Sequence, residues 1–102
     1  MGTWIDIADQ ADVGEGEVNP YDAEGLPIAL FRIGGELFAL HDLCTHGAAR
    51  LSDGWIEGAC VECPLHQGLV EIATGQPKSA PITEAIRTFP IRVLDGRVQV
   101  EV

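Results

Sequence analysis

The sequence predicts a mainly β protein, a small antiparallel sandwich or barrel, and three observations carry that expectation. Apolar runs flank the tight-turn pairs Gly34-Gly35 and Asp95-Gly96, as in β-hairpins. No stretch of about 11 residues or more shows the 3.6-residue period of a long amphipathic helix. A chain of 102 residues, 46% hydrophobic and only 22% charged, supports one ordered core and leaves little material for a second, so residues 1–102 read as one domain.

In chain order, Ile7 to Val13 offers at most a single helical turn. Leu26 to Ile33, the pair Gly34-Gly35 and then Glu36 to Leu40 form the first predicted hairpin. From His41 to Pro81 the sequence changes character and becomes rich in Gly, Pro, Cys and His, a loop-dominated segment placed between the hairpin regions. Thr83 to Arg87 offers another single turn. Thr88 to Leu94, the pair Asp95-Gly96 and Arg97 to Val102 form the second predicted hairpin, whose alternation of apolar and polar residues implies one buried face.

The net charge of −10 is unevenly spread, because the first 31 residues hold seven acids and no Lys or Arg. Such a surface repels nucleic acid. It either keeps a small protein in solution and monomeric or steers it towards basic patches on partners. No run approaches the roughly 20 apolar residues of a membrane span. The N-terminus has no basic segment followed by an apolar one, so a cytoplasmic location is expected. No nucleophile constellation, phosphate loop or nicotinamide fingerprint is present, and a catalyst acting alone is not expected.

Three cysteines cannot all pair, and a cytoplasmic chain keeps its thiols reduced, which leaves metal or redox chemistry as their use. Cys44-Thr45-His46 and Cys63-Pro64-Leu65-His66 each offer a thiolate and an imidazole on a tight loop, with sixteen residues between the two pairs. Four soft or borderline ligands of this kind make a metal site. Tetrahedral zinc accepts the same set, but zinc fingers pair Cys with Cys and His with His. A two-iron cluster in which two His replace two Cys on one iron instead needs both loops to contribute to both metals, as the mixed pairs do here. A structural zinc module stays open as the alternative outside iron chemistry.

Cys44-Thr45-His46-Gly47 with Cys63-Pro64-Leu65-His66-Gln67-Gly68 resembles the Rieske cluster-binding signature. Ala49 to Gly54, Thr74-Gly75, Ala80-Pro81 and Phe89 to Val93 are also similar to the small ferredoxins of bacterial aromatic-ring dioxygenases of the naphthalene and biphenyl type. The resemblance implies one [2Fe-2S] cluster, with Cys44 and Cys63 on the buried iron and His46 and His66, as neutral imidazoles, on the outer iron. It implies a Rieske-type antiparallel β fold with a cluster-binding subdomain of two loops, at about 41–81. Pro81 either covers the cluster from a third loop or is an ordinary loop proline. The implied role is to carry single electrons from a flavin-containing or iron–sulfur reductase to a terminal ring-hydroxylating oxygenase, docking transiently near His46 and His66. The small Rieske subunit of another oxidoreductase, such as nitrite reductase, is the alternative within the family.

Two ferric ions, two sulfides and two thiolates sum to zero, so reduction adds a negative charge to an already negative protein and is disfavoured. The respiratory branch of the family carries an extra Cys in each loop, where this chain has Ala49 and Leu65. It also carries Ser and Tyr donors where this chain has Gly68 and Val70. A potential near the bottom of the roughly −150 to +300 mV Rieske range is therefore expected. Cys60 reads as a small residue outside the ligand set and His41 as a half-exposed strand-end histidine. Trp55 and Leu65 either form an apolar collar near the cluster or simply pack.

Overall fold

The computed structural model describes residues 2–43, 49–64, 68–79 and 84–102. The described strands are β1 (Trp4–Asp9), β2 (Glu17–Ala23), β3 (Leu26–Ile33), β4 (Glu36–His41), β5 (Trp55–Glu57), β6 (Cys60–Glu62), β7 (Leu69–Glu71), β8 (Thr88–Phe89), β9 (Ile91–Leu94) and β10 (Arg97–Glu101). They form three sheets, ordered β1-β10-β9, β2-β3-β4-β8 and β5-β6-β7. Every strand pair is antiparallel.

Both predicted hairpins form. β3 and β4 pair from Ile28↔His41 to Ile33↔Glu36 around Gly34 and Gly35, whose φ values of 61° and 82° suit a primed turn. The Glu15 carboxylate accepts both glycine N–H groups at 2.7 Å. Those bonds, from Gly35 and Gly34, hold its pKa below the ordinary glutamate value. The β9–β10 hairpin turns at Asp95 and Gly96, with φ values of 51° and 78°.

The C-terminal hairpin differs from expectation at its first strand, since Thr88 to Leu94 is not continuous. Pro90 has no N–H to give to a ladder, and there the chain changes sheets. β8 pairs with β4 through Ala39↔Phe89 and Leu40↔Thr88, while β9 pairs with β10. The Pro90 carbonyl accepts the Glu101 N–H at 3.0 Å and so ties the two sheets at the crossing. The expected turn at Ile7 to Val13 shrinks to a 3-10 turn at Gln10–Asp12, because Ile7 to Asp9 belong to β1. Asp9 caps that turn by accepting the Ala11 N–H at 2.9 Å. Glu84 to Arg87 form no helical turn, and Thr83 lies outside the described residues.

The middle sheet is covered on both faces. Four consecutive β3 residues, Ile28 to Phe31, are fully buried, and they alternate between two cores as strand geometry demands. Ile28 and Leu30 join Ala8, Phe89, Val98 and Val100 against the β1-β10-β9 sheet. Ala29 and Phe31 join Leu40, Leu51, Val61, Cys63, Val70 and Ile72 against the β5-β6-β7 sheet. The segment predicted as loops thus contains a sheet of its own, built on the central one. Among the described residues, no helix is long and apolar enough to cross a membrane.

Candidate metal centre

The third sheet is made of three near-identical triplets, Trp55-Ile56-Glu57, Cys60-Val61-Glu62 and Leu69-Val70-Glu71. In each, the central apolar residue faces the core: Val61 and Val70 are fully buried and Ile56 packs against them. Three residues per strand bury little by themselves. The sheet is stabilised by sharing its core with Phe31 and Leu40 of the central sheet.

Cys63 follows β6 directly, with its side chain fully buried in that shared core. Its N–H donates to the Gly68 carbonyl at 2.8 Å, closing the second predicted ligand loop at its base. The first loop is closed in a similar way by an antiparallel bridge between Leu43 and Arg50. Its returning stem enters the same core through Leu51 and, at the periphery, Ala49. Gly54, which ends the 3-10 turn after that stem, lies so close to the other loop that a Cβ there would stand 2.1 Å from the Glu62 carbonyl oxygen. The exit of one loop and the entry of the other are therefore in backbone contact.

Of the four predicted ligands, Cys63 is described. Cys44, His46 and His66 lie outside the described residues, as do Leu65 and Pro81. The chain leading to Pro81 is tied to the second loop's strand: Leu69 N–H donates to Ser79 Oγ at 2.9 Å, and Lys78 N–H donates to the Leu69 carbonyl at 2.8 Å. Cys60 sits half-buried in β6 outside any disulfide, and His41 is the half-buried last residue of β4. Trp55 is 58% exposed, so among the two readings given above it does not serve mainly to fill the core.

One buried charged residue beside the first loop escaped the sequence reading. Asp42 is fully buried, and it accepts from the Ser52 N–H and the Ser52 hydroxyl, both at 2.7 Å, and from Arg50 at 3.4 Å. Its only sequence signal is an acid placed between an apolar strand and a ligand loop, which nothing separates from the chain's other acids.

The donor set that the sequence offers here, two thiols and two imidazoles, fits a two-metal cluster of mixed ligation in its chemistry. The described stems on either side of the two predicted ligand segments enter one apolar core and touch. A covered sheet bearing such a pair of loops defines a class, the Rieske domain. Residues 3–90 match the Rieske [2Fe-2S] domain family, and the chain belongs to it. Membership implies a Rieske [2Fe-2S] cluster.

Its relatives within the family include ferredoxins. It is 68% identical over 76 residues to the anthranilate 1,2-dioxygenase ferredoxin subunit of Burkholderia cepacia, covering 74% of this chain and 70% of that one. It is 44% identical over 98 residues to the naphthalene 1,2-dioxygenase ferredoxin component of Pseudomonas aeruginosa, covering 96% and 94% of the two chains. A chain in the complex of reduced oxygenase and oxidised ferredoxin of carbazole 1,9a-dioxygenase superposes with a TM-score of 0.91 at 34% identity, over 99% of this chain and 94% of that one. Like these relatives, the chain is an electron carrier rather than a catalyst.

Proposed function

We propose that Cys44, Cys63, His46 and His66 hold one Rieske cluster, and that residues 1–102 act as a single Rieske domain delivering single electrons from a reductase to a terminal aromatic-ring-hydroxylating oxygenase. The observation that carries this reading is the match to a ferredoxin component over 96% of this chain and 94% of the relative. When bound, the cluster supplies a one-electron ferric/ferrous couple.

The chain's own residues do the rest. Cys63 offers its thiolate from a buried position at the end of β6, where the surrounding Phe31, Leu40, Leu51 and Val61 exclude water from the sulfur. Cys44 supplies the second thiolate. His46 and His66 bind through one ring nitrogen and keep the other for a partner group or a proton. Leu43 and Trp55, both exposed on the stems and sheet that carry the loops, offer apolar contact to a docking protein. The protein acts as a monomer in the cytoplasm and docks through a small interface, below about 1,200 Å², as transient redox pairs do.

The acidic surface favours fast encounter with basic patches on reductase and oxygenase over tight binding. Stopped-flow electron delivery to the oxygenase should slow several-fold as ionic strength rises and the screening length falls from about 30 Å at 0.01 M to about 8 Å at 0.15 M. A rate that ignores salt would remove steering from this account. An oxygenase that takes no electrons from the reduced protein at any salt would remove the proposed acceptor.

A further inference from the structure

Asp42 is the one fully buried charged side chain among the described residues, two positions before the proposed ligand Cys44. Burying a carboxylate costs several kcal/mol unless donors surround it. Here they do. Oδ1 takes the Ser52 N–H, and Oδ2 takes the Ser52 hydroxyl and the half-exposed Arg50 guanidinium. The Asp42 backbone is held as firmly, donating to the Pro27 carbonyl and accepting the Leu51 N–H, each at 2.9 Å. All the side-chain donors belong to the returning stem of the first loop. A main-chain bridge between Leu43 and Arg50 already closes that loop, so the carboxylate adds a second tie between its two stems.

We infer that Asp42 is a positioning residue of the metal centre: its carboxylate clamps the two stems of the first ligand loop, and its negative charge, two positions in sequence from the proposed ligand Cys44, holds the reduction potential down. The inference rests on the ligand assignment proposed above. A purely structural role would require only that the stems stay together. The positioning role adds two consequences, because an outer-shell group controls how well the inner ligands hold the metal and because nearby net charge opposes uptake of an electron.

Two substitutions separate these consequences. Asp42→Asn keeps the shape and an acceptor for the Ser52 N–H while removing the charge, and Ser52→Ala keeps the charge while removing one bond of the clamp. Each holoprotein is followed by redox titration, reduced-state EPR, thermal melting and the rate of cluster loss to a chelator. Asp42→Asn should move the midpoint positive with little change in melting temperature. Ser52→Ala should leave the midpoint near the parent value, broaden the EPR lines and speed cluster loss by about tenfold or more. Parent midpoint, EPR line shape and cluster-loss rate in both variants, with only melting altered, would overturn the inference and leave Asp42 a structural residue. A parent protein that binds zinc rather than iron defeats the ligand assignment itself, an outcome distinct from either variant result.

Discussion

Cys63→Ala should give a folded protein without visible colour, whereas Cys60→Ser should keep the full absorption of the parent. The two thiols lie three positions apart and composition alone does not tell them apart as ligands, but the fold treats them differently. Cys60 is inside β6, opposite Glu57 on one side and Glu71 on the other, so the strand ladder fixes its backbone. Cys63 stands just beyond that ladder at the base of the second loop, fully buried, with its N–H closing the loop onto Gly68. On the proposed assignment Cys63 is one of two thiolate ligands, so complete loss of bound iron is expected rather than a graded effect. Iron content and the visible spectrum of the two purified variants decide it. Parent-level colour in Cys63→Ala, or a colourless Cys60→Ser, would require a different ligand set.

Gly54→Ala should carry the second large effect, on stability and on the centre together. The φ of −88° at Gly54 is open to any residue, so the cost is steric. The new methyl would stand 2.1 Å from the Glu62 carbonyl oxygen and 3.2 Å from that of Leu51. Both obstacles are main chain, which cannot rotate away as a side chain does. Overpacking of this kind costs about 1–3 kcal/mol, which for a domain of this size lowers the melting temperature on the order of 10 °C. The relief available is separation of the two loop stems, so the holoprotein should also lose its cluster faster to a chelator. Thermal melting and cluster-loss kinetics measure both parts. A variant that melts with the parent and retains its cluster equally well would show that the stems do not need this contact.

Much of this architecture is legible in the sequence, and the reasons differ by element. The hairpins at Gly34-Gly35 and Asp95-Gly96 announce themselves because a primed turn needs left-handed residues at two adjacent positions, a demand local to the dipeptide. The pairing of β1 with β10 does not, since Trp4 meets Glu101 across almost the whole chain and nothing local to either strand names the partner. The division of Thr88 to Leu94 at Pro90 was visible in principle as a missing donor, but only the presence of β4 on one side and β10 on the other turns that into a change of sheet. The triplets of β5, β6 and β7 are too short for alternation to register, and their repeat of apolar residue followed by glutamate becomes meaningful once they are seen stacked.

The candidate ligands were readable because metal chemistry restricts both residue type and spacing, and the mixed Cys/His loops carry that restriction openly. Of the four, Cys63 is described, buried at the base of the second loop. Asp42 was not readable, because one acid among sixteen Asp and Glu residues gains meaning only from Ser52 and Arg50 folded over it.

The central claim is electron carriage by a mixed-ligand two-iron centre, and a redox titration followed by EPR tests it most directly on protein purified without added metal. The account predicts a red-brown protein whose reduced signal has the low average g-value of mixed His and Cys ligation, with a midpoint near the bottom of the roughly −150 to +300 mV Rieske range. A colourless, EPR-silent protein containing zinc would contradict the account outright, and a clearly positive midpoint would contradict its electrostatics.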